Sequence, residues 1–294
     1  MVTTAPERLL RRLEWRLGRR LDGRLQGAYR TVWRGAGIDF TDLRVYLPED
    51  DVRHIDWNVT ARVDEPYVRL YTEDRELTCW LVIDRSASMR FGAQGKESVA
   101  ADLAIALGRL VSQGGNRVGA ILFDNDAHQV VPPRTGRDQI LRITRELIRP
   151  FSGNKGKTTD LSKMFRLAAA TTIRRRSLIF VMSDFIGDPG WERDLARLTH
   201  RHEVVVIRVV DPAELDLPDL GVILVEDAET GEQLLVDTSD PLLRSRLATQ
   251  VGAREDAIAL AMRTAGVAAH RIRTDQDLLA ALVKLVEQSG RGRR

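Results

Sequence analysis

Short apolar runs alternate along this chain with longer segments of helical periodicity. Cys79–Ile83, Arg117–Phe123, Ser177–Met182 and Glu203–Val210 are brief, aliphatic or β-branched, and closely bounded by polar or turn residues. That pattern predicts buried strands rather than helices. Between them, Glu97–Ser112 carries Ala100, Leu103, Ala104, Leu107 and Leu110 on one helical face, and Asp138–Ile148 is a helix that ends before Pro150. Leu161 opens a further helix, with Met164, Phe165, Leu167 and Ala168 at core spacing, and Trp191–Leu198 forms another. Gln129–Val131 reads as a short antiparallel neighbour, turned through Asp124-Asn125-Asp126. The alternation lapses beyond Asp211, where Val222–Val225 and Gln233–Val236 flank Glu229-Thr230-Gly231 and predict a β-hairpin inserted at the sheet edge. A helix over Pro241–Thr264, a strand near Val267–Ile272 and a helix over Gln276–Glu287 resume it. The expected fold is α/β: a doubly wound, mostly parallel sheet flanked by helices on both faces.

Before the first of these strands the pattern differs. Leu9, Leu10, Leu13, Leu17 and Leu21 recur at helical spacing and predict a helix over residues 5–21. Arg8, Arg11, Arg12, Arg16, Arg19 and Arg20 crowd the same segment, and Arg291, Arg293 and Arg294 end the chain. Basic termini raise a nucleic-acid reading, which predicts steep salt dependence of binding; the leucine spacing favours the solvated side of an amphipathic helix instead. The organisation expected is an N-terminal helix and small β-rich segment (1–76), a first part of the core (77–212), the inserted hairpin (213–238), a C-terminal part of the core (239–290) and a basic tail (291–294).

Composition adds few constraints. With 294 residues, 43% hydrophobic and 30% charged, and a formal net charge of +3, the chain has material for an ample core. No apolar run approaches bilayer length and the start shows no signal-peptide pattern, so a cytoplasmic protein, or one held at a membrane only through partners, is expected. The lone cysteine, Cys79, falls within a core strand as a small buried apolar residue, which fits a reducing compartment.

The chemistry concentrates where the predicted strands end. Cys79–Ile83 is followed by Asp84-Arg85-Ser86-Ala87-Ser88, which sets a carboxylate and two hydroxyls on the loop where a doubly wound sheet places its ligands. Mg²⁺ is a hard cation that takes oxygen ligands in octahedral geometry and retains waters, which suits small hydroxyls on a tight loop. Taken alone, the same residues could equally satisfy loop amides. Thr158-Thr159-Asp160 before the Leu161 helix, and Ser183-Asp184 after Ser177–Met182, bring further oxygens to the same sheet edge. In order and spacing these three loops resemble the metal-ion-dependent adhesion site of von Willebrand factor A domains. On that resemblance Asp84, Ser86, Ser88, Thr159 and Asp184 are the ion ligands, with Thr158 the alternative threonine. The implied ion is Mg²⁺, with Mn²⁺ and Ca²⁺ as alternatives, and an acidic side chain of a partner completes its coordination.

A second stretch carries a longer signature. Gly37 to Tyr71 interleaves Asp and Arg around Tyr46 and Trp57, a pattern that either builds a semi-buried salt-bridge network or presents an interaction surface. Its Asp42, Leu43, Arg44, Tyr46, Pro48, Asp50, Asp51, Arg53, Ile55, Asp56 and Trp57 resemble the signature of the bacterial family labelled domain of unknown function fifty-eight, departing from it at Glu49, where that family has glycine. The resemblance implies a von Willebrand factor A-like core, partnership with AAA+ ATPases of the MoxR type, and an unknown protein client. Asp42, Arg44, Tyr46, Asp50, Asp51, Arg53, Asp56 and Trp57 are the partner-binding candidates.

Enzymatic readings find less support. The chain has no His-Glu-x-x-His, Gly-x-Ser-x-Gly or zinc cysteine pattern. Gly156-Lys157-Thr158 suggests a phosphate-binding loop, but that motif needs a glycine where Phe151 stands. A metal hydrolase built on Asp84 and Asp184 requires a general base, for which Asp126 and Asp160 are the acidic candidates. His200 and His202 end a predicted helix, a setting that favours solvated imidazoles. The favoured function is therefore a non-catalytic, metal-dependent protein-binding adaptor.

Overall fold

The computed structural model describes residues 37–291 except 49, 64, 75–76, 93–94, 125–126, 151–158, 173–175, 217–218 and 227–232. The helix expected over 5–21, Glu49, Asp126, Thr158 and the end of the basic tail lie outside the described residues. The chain divides into two compact units, Trp33–Leu77 and a larger one from Thr78 onward.

In the smaller unit, β1 (Gly37–Val45) pairs antiparallel with β2 (Tyr67–Asp74), with a bulge between Phe40 and Asp42. Between them lies a helix that periodicity did not predict, α1 (Trp57–Val63). Its origin is local: the buried Asp56 accepts from the backbone N–H groups of Asn58 (3.0 Å) and Val59 (3.4 Å), satisfying donors that a helix start leaves orphaned.

The larger unit is built on a six-stranded sheet. Its strands are β3 (Thr78–Asp84), β4 (Arg117–Asp124), β5 (Ala127–Arg134), β6 (Leu178–Ser183), β7 (Glu203–Val210) and, late in the chain, Ala269–Arg273. The last of these is β10, since β8 (Val222–Glu226) and β9 (Gln233–Asp237) precede it. The sheet order is β10-β7-β6-β3-β4-β5; all neighbours are parallel except β4 and β5. β3 and β6 lie at its centre, and Cys79 to Ile83 and Leu178 to Met182 are buried throughout. This explains why neither shows the alternation of a one-faced strand.

Helices cover both faces. α2 (Lys96–Gln113) and α3 (Arg137–Ile148) pack on one side, where the absence of a side chain at Gly108 lets Leu81 and Ile140 close in. α4 (Leu161–Thr171), α5 (Glu192–Arg201) and α6 (Pro241–Thr264) bring Phe165, Leu195, Leu198, Ile258 and Met262 against Val82, Ile121, Ile179 and Val181 on the other. α7 (Leu278–Arg291) follows β10.

Two expectations need correction. The hairpin is not added to the main sheet: β8 and β9 pair only with each other, and Leu224 and Leu235 opposite one another are 61% and 71% exposed. The edge beside β7 is taken by β10 in parallel register, so the inserted strands have no place there. His202 is buried rather than solvated, because its ring nitrogens meet Thr172 and the Ser177 amide.

Candidate functional site

β3 and β6 are parallel neighbours, with Ile83 opposite Met182, so Asp84 and Ser183-Asp184 leave the sheet side by side at its carboxyl edge. Asp84 is fully buried; its Oδ1 accepts from Ser86 N at 2.9 Å and its Oδ2 from Ser183 Oγ at 2.6 Å. Ser86 is extended and precedes a 3-10 turn over Ala87–Arg90, and its Oγ lies 3.1 Å from Ser88 Oγ. The alternate serines thus converge.

The other two loops reach the same edge. Asp184 is buried, and its Oδ1 accepts from Ile186 N at 2.9 Å. Phe185 follows at φ 60°, a left-handed conformation that is unfavourable for a bulky residue. Its ring is held beside Phe165 and Trp191, with centroids 6.4 and 5.2 Å away. Buried Thr159 abuts this loop: its carbonyl accepts from Asp188 N at 3.2 Å, and a Cβ on Gly187 would sit 2.3 Å from the Thr159 oxygen. Only glycine permits that approach. Asp160, a candidate base, accepts instead from Lys163 N at 3.1 Å as the N-cap of α4.

Electrostatics set this edge apart. Burial, reinforced by the negative charge of Asp184, pushes the Asp84 carboxyl up to about 7, against the opposing hydrogen bonds from Ser183 and Ser86. Lys96, in the first turn of α2, is 0% exposed; its Nζ donates to Asp184 Oδ2 at 2.5 Å and also to Glu214 Oε1. Glu214 stands on the 3-10 turn Pro212–Glu214 after β7, and burial raises its pKa while Lys96 opposes the rise. Arg208 of β7 clamps Glu255 of α6 through both terminal nitrogens (2.7 and 2.5 Å) and donates from Nε to the Asp184 carbonyl at 3.1 Å.

The donor set fits a small hard cation. It mixes hydroxyls with carboxylates, and the described residues contain no group of three or more His, Cys, Asp or Glu side chains that could hold a metal. A zinc or all-carboxylate calcium centre does not match it. Two of the carboxylates at this edge, Asp184 and Glu214, share the one ammonium of Lys96.

Sequence reasoning overlooked Lys96, Glu214 and Arg208, and placed Ser183 at this edge without its bond to Asp84. Lys96 had a signal: a cation in the first turn of a helix opposes the macrodipole, and such breaches of a local rule mark sites held by other forces. Glu214 carried only its place just after a strand.

In the smaller unit, most candidate side chains serve local turns. Arg44 Nη2 pairs with Asp50 Oδ1 at 2.5 Å, and Asp50 Oδ2 accepts from Leu47 N at 2.9 Å. Asp51 caps a 3-10 turn and holds Arg53 through Nε and Nη2 (3.1 and 2.9 Å). Tyr46 is half-buried and its backbone N–H donates to Pro66 O, while Asp42 lies opposite Leu70 in the β1–β2 register. Trp57 is 68% exposed, and Val52 and Leu47 of the same unit are exposed as well.

The family described as protein of unknown function DUF58 matches residues 42–257. An uncharacterised protein of Mycobacterium tuberculosis is 38% identical over 285 residues, covering 96% of this chain and 89% of its own length. An uncharacterised protein of Mycobacterium avium is 34% identical over 162 residues, 55% of this chain and 95% of its own. Among solved structures, the conserved hypothetical protein BatB of Bacteroides thetaiotaomicron covers 73% of this chain and 99% of its own at 16% identity and a TM-score of 0.46. The VWA domain of SpRpn10 covers 72% and 95% at 15% identity and a TM-score of 0.41. With a match that runs from the Asp42 signature through the Asp84, Thr159 and Asp184 loops, the chain belongs to the DUF58 family, its core a mostly parallel α/β sheet flanked by helices.

Proposed function

We propose that this protein is a non-catalytic adaptor that binds a partner protein through a Mg²⁺ site at the carboxyl edge of its sheet. The observation that carries this reading is the convergence of two buried carboxylates, Asp84 and Asp184, on adjacent strand ends, with the Ser86 and Ser88 hydroxyls in mutual contact beside them. Bound there, Mg²⁺ supplies an open coordination position for a carboxylate of the partner. Ser86, Ser88 and Thr159 present hydroxyl oxygens, while Asp84 and Asp184 supply negative charge directly or through water. Ser183 and the Ser86 amide hold Asp84 in place, and the Ile186 amide does the same for Asp184. Such a site gives orientation as well as affinity.

The partner we propose is a MoxR-type AAA+ ATPase, as the resemblance of the Asp42 to Trp57 signature implies, in a chaperone-like assembly acting on a further protein client. Binding is favoured over metal-assisted hydrolysis by the engagement of Asp160 as a helix cap, which turns that carboxylate to structural use.

The test is a pull-down from the native cell extract with Mg²⁺ or with EDTA, using wild type and Asp84→Asn, with circular dichroism to verify folding. An AAA+ ATPase should be retained by wild type with Mg²⁺ and lost under either perturbation. Retention indifferent to both would sink the ion-mediated reading.

A further inference from the structure

We propose that Lys96 is a tethered competitor for the divalent cation, and that Glu214 receives its ammonium when the cation binds. The inference rests on the metal reading above and assigns roles to two residues outside its ligand set.

Lys96 is an anomaly on physical grounds. A fully buried ammonium is costly unless it is paired, and the first turn of α2 adds the adverse end of the helix dipole. Among the described residues it is compensated by two carboxylates, Asp184 and Glu214. No packing need explains a lysine here, because methionine fills a similar apolar volume without a charge.

The geometry sets the ammonium against the cation. Asp184 Oδ1 accepts from the Ile186 amide and Oδ2 from Lys96 Nζ at 2.5 Å, so a cation that took Oδ2 would meet the ammonium there. Two cations sharing one carboxylate oxygen repel strongly where water is excluded. Either Lys96 or the divalent ion can hold Oδ2 fully. Glu214 makes the exchange inexpensive: it already touches Nζ, so a rotation along the flexible lysine stem keeps one ion pair intact while freeing Asp184. Its backbone is steadied by Arg254, whose Nη2 donates to the Glu214 carbonyl at 3.3 Å. Without the cation, Lys96 prevents Asp84 and Asp184 from facing each other as unpaired charges. With it, the ammonium withdraws to Glu214.

A titration of Mn²⁺ into the full chain, followed by the electron paramagnetic resonance signal of the free ion, tests this in four proteins: wild type, Lys96→Met, Glu214→Gln and the double variant. Lys96→Met should bind Mn²⁺ about tenfold tighter or more, and Glu214→Gln about tenfold weaker, since the displaced ammonium then has no carboxylate to receive it. In the Lys96→Met background, Glu214→Gln should have little effect, because there is no ammonium left to receive. Unchanged or weaker binding in Lys96→Met overturns the proposal while leaving the metal reading intact, and so does full additivity in the double variant, which reduces Glu214 to a general negative charge. Absence of Mn²⁺ binding in both wild type and Lys96→Met removes the metal reading and the proposal with it. Should Lys96→Met fail to fold, Glu214→Gln against wild type decides, and unchanged or tighter binding there overturns the exchange.

Discussion

At His202 the hydrogen bonds dictate a protonation state. Ser177 N–H donates to Nδ1 at 3.2 Å, and Nε2 lies 3.1 Å from Thr172 Oγ1, whose own hydrogen goes to the Ala168 carbonyl at 2.8 Å. Nδ1 must accept and Nε2 must donate, which requires the neutral ring. Burial, with the nearby charges of Arg201 and Arg176, accordingly lowers the pKa from its ordinary 6.5. The folded value lies below the unfolded one, so this group's contribution is complete above the unfolded pKa and is lost as pH falls below it. Denaturant midpoints should therefore drop as pH falls below about 6.5, and drop less in His202→Gln, which cannot take up the proton. Equal pH dependence in the two proteins would remove His202 from the account. Asp84 is displaced the other way for the same root cause, since burial disfavours the charged form of an acid as it does that of a base.

At the scale of elements, site geometry depends on how two loops touch. The approach of Thr159 to Gly187 leaves no room for a Cβ, so Gly187→Ala must push the Thr159 loop off the Asp184 loop. Asp84, Ser86 and Ser88 belong to the β3 loop and keep their own hydrogen bonds. Mn²⁺ affinity measured by calorimetry should fall about tenfold in Gly187→Ala, a loss typical of a displaced ligand; an unchanged affinity would exclude Thr159 from the ligand set. The helix spans were readable: Glu97–Ser112, whose apolar face repeats along its length, matches α2 to within a residue at each end, and Pro241–Thr264 was expected and is observed as α6. The short helix α1 was not, because it owes its start to the Asp56 cap rather than to periodicity.

At the scale of the whole molecule, the two units divide the chemistry. The larger one holds the oxygen-lined edge, and the smaller one carries the exposed Trp57. A tryptophan this exposed has the character of an interface anchor, and its loss should be felt in partner binding rather than in folding. Trp57→Ala should reduce retention of the ATPase in the pull-down while leaving Mn²⁺ affinity at the wild-type value. Undiminished retention would limit docking to the Asp84 edge. Among the described residues no helix is long and apolar enough to cross a membrane.

Sequence alone determined the strand and helix order of the core, the antiparallel β4–β5 pair, and the loops on which Asp84, Ser86, Ser88, Thr159 and Asp184 stand. It could do so because a buried strand, an amphipathic helix and the loop after a strand are each written within a few consecutive residues. Tertiary structure decided what those residues meet. The ammonium of Lys96 comes from a helix start 88 positions before Asp184, and Glu214 lies 118 positions beyond Lys96. Ser183 reaches Asp84 across 99 positions, and β10 claims the sheet edge at which the hairpin was expected. These are contacts across the sheet between residues distant in the chain. Local pattern does not encode them, because each depends on which strands become neighbours once the core is buried.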